Sequence, residues 1–352
     1  MSTSLPIRGR GTSANPPNRF LPLYRESIPG WTDEEDPAPR TRFFRDDTKT
    51  ILASNDSPDI PFAFSLNPYR GCEHGCVYCY ARPGHEFLGL SAGLDFETQI
   101  FVKEDAPELL RKELSSSKWV PQHVSMSGVT DPYQPVERRV ELTRRCLQVF
   151  AEFRNPVGIV TKNALVARDR DLLGELARFD AATVYVSVTT LDGDLAGKME
   201  PRASTPEARL RAIRELTEAG VPVGILMGPV VPGLTDHEAP AILKACAEAG
   251  AKYASYVMLR LPLGVKDLCE SWLEQHFPNK KHRVLNRLRD ARGGQLNDPR
   301  FGSRMRGEGE WADLFSKMFK LHRRRVGLAE HGPTLSAAHF TDGRPKQRTL
   351  FE

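Results

Sequence analysis

Six short runs rich in β-branched and aromatic residues alternate with amphipathic helical stretches between residues 62 and 276. The runs are nearly continuous in apolar residues, which is typical of buried strands that pair in parallel through helical crossovers. Six such units predict the α/β class and a partial (β/α)6 TIM-like barrel rather than a closed eight-stranded one. Sites in such sheets gather at the carboxyl ends of the strands. The predicted strands are PFAFSLNPY, PQHVSMSGV, PVGIVTK, AATVYVSVTT, VPVGILMGPVV and YASYVML.

The first predicted strand leads into a cysteine-rich loop with the sequence RGCEHGCVYCYAR. Cys72, Cys76 and Cys79 follow the spacing C-x3-C-x2-C, and no fourth cysteine lies nearby. Sulfur ligands at close spacing are typical of zinc sites and of iron–sulfur clusters. A zinc site would need a further ligand, such as His74, His85 or a distant residue. A cubane with three thiolates would instead keep one iron free for a small ligand.

Composition and cysteine usage indicate the class of protein and its compartment. The chain has 40% hydrophobic and 27% charged residues, which is ordinary for a globular enzyme. No run of about eighteen apolar residues predicts a membrane helix, and the amino-terminal sequence lacks the apolar core of a secretory signal. Six cysteines in 352 residues are too sparse for a disulfide scaffold. We therefore expect a reducing compartment, the cytoplasm.

The cysteine loop resembles that of the radical S-adenosylmethionine (SAM) enzymes, in which an aromatic residue precedes the last cysteine, as Tyr78 does here. The resemblance implies a [4Fe–4S] cluster held by Cys72, Cys76 and Cys79, with its free iron bound to the amino and carboxylate groups of SAM. It also implies that the reduced cluster cleaves SAM to methionine and a 5′-deoxyadenosyl radical, which abstracts a hydrogen atom from the substrate.

A narrower resemblance links SLNPYRGCEHGCVYCYAR to the branch related to spore photoproduct lyase, often described as DNA repair photolyase-like. The matching stretches that follow are TDPYQPVE, TK, EPRASTPEARL and PVVPGLTD. Together they cover about residues 62–262. The resemblance therefore covers the predicted barrel and neither flanking region.

Within this branch the resemblance implies cofactor-binding roles at the carboxyl ends of the third and fourth strands. Lys162 matches a lysine that pairs with the SAM carboxylate, and a cation suits that position. An exposed lysine beside a helix start is the structural alternative. Ser187 matches a serine that contacts SAM, although its place in YVSVTT also fits an ordinary hydroxyl lining the barrel.

Four further residues are candidates on the same grounds. Thr130 and Asp131 lie where other radical SAM enzymes hold the SAM amino group, although the neighbouring prolines are equally typical of a plain turn. Arg202 is a candidate for the SAM carboxylate or the substrate, or for a salt bridge beside a helix. Met227 is predicted to lie beside the adenine.

One departure from the branch concerns the return of a hydrogen atom. Spore photoproduct lyase carries a cysteine just before its second-strand (Thr/Ser)-x-Asp segment, where this chain has Ser127, Gly128 and Val129. Repair by that route is therefore not expected. Tyr80 and Tyr133 are candidate radical relays, although tyrosines near a cluster also shield it or donate hydrogen bonds. The other cysteines, at helical core spacings, are predicted to pack in the interior: Cys146, Cys246 and Cys269.

Three regions follow from these patterns. Residues 1–58, with eight prolines, predict an extended or partly disordered arm. Residues 59–276 form the predicted radical SAM barrel, and residues 277–352 form a basic helical extension.

The extension carries a local excess of positive charge. Residues 279–325 contain fourteen Lys and Arg against five Asp and Glu, a balance of +9 in a chain whose net charge is +4. Such a segment predicts contact with the phosphates of a nucleic acid. The opposing interpretation is a solvated helical face that packs against an acidic body.

The sequence thus predicts a radical SAM enzyme of lyase or transferase type that acts on an unknown, nucleic-acid-like substrate. Its expected partners are a nucleic acid and an electron donor of the flavodoxin or ferredoxin type, with no membrane. The alternatives are radical SAM modification of a protein or small metabolite, and a non-enzymatic nucleic-acid-binding protein stabilised by a metal.

Overall fold

A computed structural model describes residues 6–21 and 39–342 of the chain. Parts of the predicted arm (residues 1–5 and 22–38) and of the predicted extension (residues 343–352) lie outside the described residues. The strands are β1 (Arg42–Arg45), β2 (Leu52–Ser54), β3 (Phe64–Leu66), β4 (Tyr69–Arg70), β5 (Gln99–Val102), β6 (Val124–Met126), β7 (Val157–Thr161), β8 (Ala182–Ser187), β9 (Val223–Val230) and β10 (Tyr253–Met258).

Helices connect the strands and cover the sheet. The α-helices are α1 (Leu94–Thr98), α2 (Ala106–Leu114), α3 (Glu137–Val140), α4 (Leu142–Phe153), α5 (Arg170–Ala177), α6 (Gly193–Met199), α7 (Pro206–Glu218), α8 (Ala239–Glu248), α9 (Val265–His276), α10 (Pro278–Asp290) and α11 (Glu310–Arg325). Short 3-10 helices span Arg82–Leu88, Ala164–Asp169 and Asp236–Glu238. In the part of the chain that the structure describes, no helix is long and apolar enough to cross a membrane.

A seven-stranded sheet with the order β10-β9-β8-β7-β6-β3-β2 forms the centre of the fold. The strands from β3 to β10 in this sheet pair in parallel, and β2 joins β3 in antiparallel fashion. Each predicted strand contains one of the six parallel strands. The predicted α/β partial barrel is therefore confirmed, as is the presence of a helical carboxyl-terminal extension.

Burial and capping explain why these segments form regular structure. The strand β7 has four of its five residues buried, which is expected of a parallel strand covered on both faces. The helix α7 begins at Pro206, and the Thr205 hydroxyl before it accepts a hydrogen bond from the Ala208 N–H at 3.3 Å. Both the cap and the first-turn proline follow from the sequence.

A loop near residues 296–305 bridges the two edges of the open sheet. At the β10 edge, the Met258 N–H donates to the Met305 carbonyl at 2.8 Å. Near the β2 edge, the Gly302 N–H donates to Asp59 at 2.7 Å, and Arg304 pairs with the same carboxylate at 2.5 Å. Asp59 lies between β2 and β3. The loop therefore covers the gap between the two edges of the partial barrel.

The described part of the predicted arm packs against the molecule. The Leu94 N–H donates to the Ala14 carbonyl at 3.1 Å, and the Ser91 hydroxyl donates to the Pro16 carbonyl at 2.7 Å. Further on, β1 pairs with β5, which also pairs with β4 in a second sheet of three strands. The sequence predicted neither β1 nor β2, because both are short and largely exposed and have little apolar alternation.

The two helices of the extension lie at different ends of the barrel. A β-carbon built on Gly233, just after β9, would lie 3.5 Å from Arg283 of α10, so α10 reaches the carboxyl edge of the strands. The chain after α11 returns to the amino-terminal end of β10, where the Ala254 N–H donates to the Ala329 carbonyl at 3.0 Å. The end of α11 therefore lies far from the carboxyl edge.

Gly11 is predicted to be essential for docking of the amino-terminal segment. A β-carbon at Gly11 would overlap the carbonyl oxygen of Gly75 in the cysteine loop. Gly11→Ala should therefore detach residues 6–21 and lower the free energy of unfolding by roughly 1–3 kcal/mol, the usual cost of overpacking. Amide hydrogen exchange and urea unfolding would measure the two effects. Gly84→Ala is the control, because nothing lies within 4 Å of a β-carbon there. Equal protection of residues 6–21 in both variants would contradict the docking.

Candidate active site

The cysteine loop lies at the carboxyl edge of the parallel strands, directly after β3 and the short β4. Cys72 and Cys76 are buried, and Cys79 is half-buried. Tight turns form the loop: the Gly75 N–H points to the Cys72 carbonyl at 3.4 Å, and the Cys79 N–H points to the Cys76 carbonyl at 3.2 Å. Gly75 has a φ of +68°, a left-handed conformation that favours glycine.

A fully buried ion pair supports the loop from behind. Arg82 and Glu97 are 0% exposed, and their Nη2 and Oε1 atoms are 2.5 Å apart. Arg82 also donates to the carbonyls of Cys76 and Gly93, both at 3.0 Å. The second Glu97 oxygen accepts from the Gly11 N–H at 3.0 Å. Sequence reasoning missed both charged residues, because nothing in their spacing distinguishes them from surface charges.

The donor set of the loop fits an iron–sulfur cluster. Burial raises the pKa of all three thiols, so they stay protonated at neutral pH unless a cation stabilises the thiolates. Lys162 opposes this rise in pKa at Cys76. At Cys79 the charge of Arg82 opposes it, together with the backbone N–H groups of Ala81 and Arg82. Iron would replace the protons directly. No three His, Cys, Asp or Glu side chains among the described residues could together hold one metal ion. A cubane does not require such a grouping, because each thiolate binds a different iron atom.

Lys162, Ser187 and Tyr78 come together beside the cysteine loop. Lys162 follows β7, and its ammonium donates to the Ser187 hydroxyl and to the Gly228 carbonyl, both at 2.6 Å. The same ammonium lies 5.9 Å from the centre of the Tyr78 ring. Met227, the residue before Gly228, is fully buried and packs in the main core. The ends of three neighbouring strands thus fix one cation at the predicted cofactor site.

Glu200 is a site residue that the sequence analysis missed. It is fully buried, accepts hydrogen bonds from Tyr78 and Arg209, and lies 3.7 Å from the Lys162 ammonium. Burial alone would raise the pKa of Glu200, but Arg209 and Lys162 outweigh it and hold the pKa at about 2. The stretch EPR places an acid, Glu200, shortly before the N-cap of α7, which could have indicated a role. The sequence analysis assigned a candidate function to Arg202 of this stretch instead.

Asp131 is held by the protein at a junction of three loops. Its carboxylate accepts from the Thr161 hydroxyl and the Lys162 N–H, both at 2.7 Å, and lies 3.4 Å from His74 Nδ1. Burial opposes ionisation of Asp131, yet His74 and these hydrogen bonds keep its pKa below the ordinary value. The neighbouring Thr130 hydroxyl is buried and has no hydrogen-bond partner within the described ranges. Such an orphaned group beside the loop is consistent with a missing small ligand.

The other candidates occupy different places. Arg202 pairs with Glu73 of the cysteine loop at 2.9 Å, which matches the salt-bridge alternative. Tyr133 is fully buried, and its hydroxyl donates to Asp169 at 3.1 Å, in a network separate from the cysteines. Tyr80 is 49% exposed at the mouth of the barrel. The predicted core cysteines are buried as expected: Cys146, Cys246 and Cys269.

Comparison with known proteins identifies the family. The model of the radical SAM superfamily matches residues 66–246. An uncharacterized protein of Mycobacterium tuberculosis is 35% identical over 232 residues, which cover 65% of this chain and 68% of that protein. A radical SAM Nalpha-GlyT isomerase of Pseudomonas phage M6 is 27% identical over 201 residues, which cover 57% of this chain and 40% of that protein.

Solved structures agree on the fold. Spore photoproduct lyase complexed with dinucleoside spore photoproduct superimposes with a TM-score of 0.55 and 16% sequence identity, over 81% of this chain and 80% of that chain. A spore photoproduct lyase variant with bound AdoMet aligns over the same shares with a TM-score of 0.54. The chain is therefore an enzyme of the radical SAM superfamily, a family that implies a [4Fe–4S] cluster and SAM, and it shares its fold with spore photoproduct lyase.

Proposed function

We propose that Cys72, Cys76 and Cys79 hold a [4Fe–4S] cluster and that SAM binds between this loop and Lys162. The observation that carries the proposal is the placement of three cysteines in one loop beside a half-buried cation that is anchored to the strand ends. When bound, the cluster and SAM supply a 5′-deoxyadenosyl radical that removes a hydrogen atom from the substrate. The protein would work in the cytoplasm, where thiols stay reduced, and receive electrons from a donor of the flavodoxin or ferredoxin type.

The charges around Lys162 suit an anion. One carboxylate, that of Glu200, faces the two cations Arg209 and Lys162, so a net positive charge remains beside the cysteine loop. A lysine ammonium has a further N–H beyond the two that bind Ser187 and Gly228, and it would donate to the SAM carboxylate. On the other side, the Thr130 hydroxyl would bind the SAM amino group. The protein would thus hold both ends of the amino acid part of SAM.

The proposed substrate is a nucleic acid or a nucleotide-like base. The phage relative is named as an isomerase, and one structural neighbour holds a dinucleoside ligand. The dinucleoside ligand of the structural neighbour supports a nucleoside-type substrate for this chain, whereas the name of the phage relative gives a type of reaction. Modification of a protein or a small metabolite is the alternative.

Only some of the basic residues in segment 279–325 lie where they could bind phosphates near the cysteine loop. Lys280 and Arg283 of α10 are exposed, and α10 reaches the carboxyl edge where the cysteine loop lies. Arg323 is buried and pairs with Glu330 at 2.7 Å, so it does not offer its charge to a ligand. Arg324 and Arg325 are exposed but lie at the opposite end of the barrel. We therefore assign the phosphate contacts to α10 rather than to the whole segment 279–325.

The cluster can be tested by removing single thiols. Anaerobically reconstituted protein should bind about four iron and four sulfide per chain and, with a strong reductant, convert SAM to 5′-deoxyadenosine. Ala in place of Cys72, Cys76 or Cys79 should abolish both properties. Iron and sulfide analysis and chromatography of the nucleoside product are the measurements. Cys246→Ala is the control, because Cys246 is buried in α8 and should not affect iron content. Stoichiometric zinc without iron uptake would contradict the proposal.

Glu200→Gln should destabilise the protein in a pH-dependent way. The folded pKa of about 2 lies below the ordinary value of 4.5, so ionised Glu200 stabilises the fold at neutral pH. Its loss leaves Arg209 buried without a counter-charge, at a cost of about 3–5 kcal/mol. The difference in unfolding free energy should persist above about pH 5 and shrink as the pH falls from 4.5 towards about 2. Urea unfolding across this range would measure it. Glu248→Gln is the exposed control, and a difference that stays constant down to pH 3 would contradict the assignment.

Nucleic-acid binding can be tested by removing two positive charges either from α10 or from the end of α11 and comparing the affinities. Short single-stranded DNA or RNA should bind with an affinity that falls steeply as salt rises. Lys280→Gln combined with Arg283→Gln should weaken binding and reduce the salt slope by about 0.7 for each lost phosphate contact. Arg324→Gln combined with Arg325→Gln removes the same charge at the far end and should have little effect. No binding of either polymer at low salt would transfer the proposal to a protein or metabolite substrate.

A further inference from the structure

Arg260 is a half-buried cation at the mouth of the site whose guanidinium has no hydrogen bond or ion pair with any residue of 6–21 and 39–342. It follows β10, and its guanidinium carbon lies 4.7 Å from the centre of the Tyr80 ring. Tyr80 is the residue after Cys79. Partial burial removes some water from Arg260, and an arginine remains protonated at neutral pH, so its guanidinium carries N–H donors that no described residue satisfies.

The neighbouring arginines already have partners. Arg292 is buried and donates to the carbonyls of Met258, Leu259 and Arg304. Arg304 pairs with Asp59 at 2.5 Å. Asp59 is the carboxylate that acts on Arg260, and it is already paired with this other arginine. Within residues 6–21 and 39–342, Arg260 therefore forms no ion pair of its own.

Tyr80 holds the guanidinium in a fixed position. Its hydroxyl donates to the Gly128 carbonyl at 2.5 Å, which ties the ring to the loop after β6. The ring is still 49% exposed, and the adjacent Val129 is 50% exposed, so the surface around the cation is open to a ligand. A stacked guanidinium keeps its N–H edges free, and those edges match the oxygens of a phosphate.

We infer that Arg260, held by Tyr80, binds a phosphate group of the substrate at the mouth of the barrel. The inference rests on the proposed nucleic-acid substrate and adds an anchoring residue close to the cysteine loop. Lys162 lies deeper, at the ends of β7 to β9, and is assigned to the SAM carboxylate. Arg260 therefore remains available for an anion other than the SAM carboxylate.

The test compares three arginine variants of the cluster-loaded enzyme. The probe is fluorescein-labelled single-stranded DNA of mixed sequence, measured by anisotropy at several salt concentrations. Arg260→Gln should weaken binding by about tenfold or more, as loss of a charge-assisted contact does, and reduce the salt slope by about 0.7. Arg260→Lys should retain the slope but bind less tightly than the wild type, because it lacks the planar fork. Arg306→Gln, at an exposed arginine that stacks on Tyr256, is the control for net charge.

The outcomes separate this inference from the proposed function. If the wild type binds DNA and Arg260→Gln binds no worse than Arg306→Gln, the phosphate site is overturned and the nucleic-acid substrate stands. If Arg260→Gln loses SAM affinity while its DNA affinity is unchanged, Arg260 serves the SAM carboxylate and the inference is overturned. If the wild type binds no DNA at low salt, the nucleic-acid substrate fails, and the inference fails with it.

Discussion

The ion pair between Arg82 and Glu97 joins the cysteine loop to the rest of the molecule, and neither side chain is exposed to solvent. The loop has little regular structure of its own, so its inward-facing carbonyls need donors from elsewhere. Arg82 supplies them, and its planar, branched donors suit several carbonyls at once. Glu97 offsets the buried charge and also binds the Gly11 N–H. A single buried pair thus positions the cysteines and docks the amino-terminal segment.

Polar side-chain contacts join the cysteine loop to neighbouring loops at the carboxyl edge of the sheet. Glu73 pairs with Arg202, and Asp131 meets His74. Each pair joins the cysteine loop to a loop after a different strand, so the loop is tied to the ends of two strands. Lys162 keeps one N–H for a ligand, because two of its three ammonium N–H groups bind Ser187 and Gly228. Loss of Arg202 would leave the buried Glu73 carboxylate without its counter-charge, which is costly.

The carboxyl-terminal extension divides its charges between two ends of the barrel. α10 presents exposed cations near the cysteine loop, whereas the end of α11 lies beside the start of β10. Some of the positive residues serve the interior: Arg292 binds backbone carbonyls, and Arg323 pairs with Glu330. The positive balance of this segment is therefore only partly available to a polyanion. Charge counts along a chain do not distinguish a cation that binds a carbonyl from one that faces solvent.

The sequence by itself determined the six parallel strands, because their apolar runs and capped helices are local patterns that need no distant partner. It also determined the cysteine spacing, and the resemblance indicated Tyr78, Lys162 and Ser187, which the fold brings together. Only the tertiary structure decided the roles of Glu200 and Arg260. The Tyr78 hydroxyl bonds to a glutamate 122 positions later in the chain, and no local pattern encodes such a pairing. Arg260 differs from Arg292 and Arg304 in that its guanidinium has no hydrogen-bond or ion-pair partner among the described residues. That distinction exists only after Asp59, far away in the sequence, has been taken by Arg304.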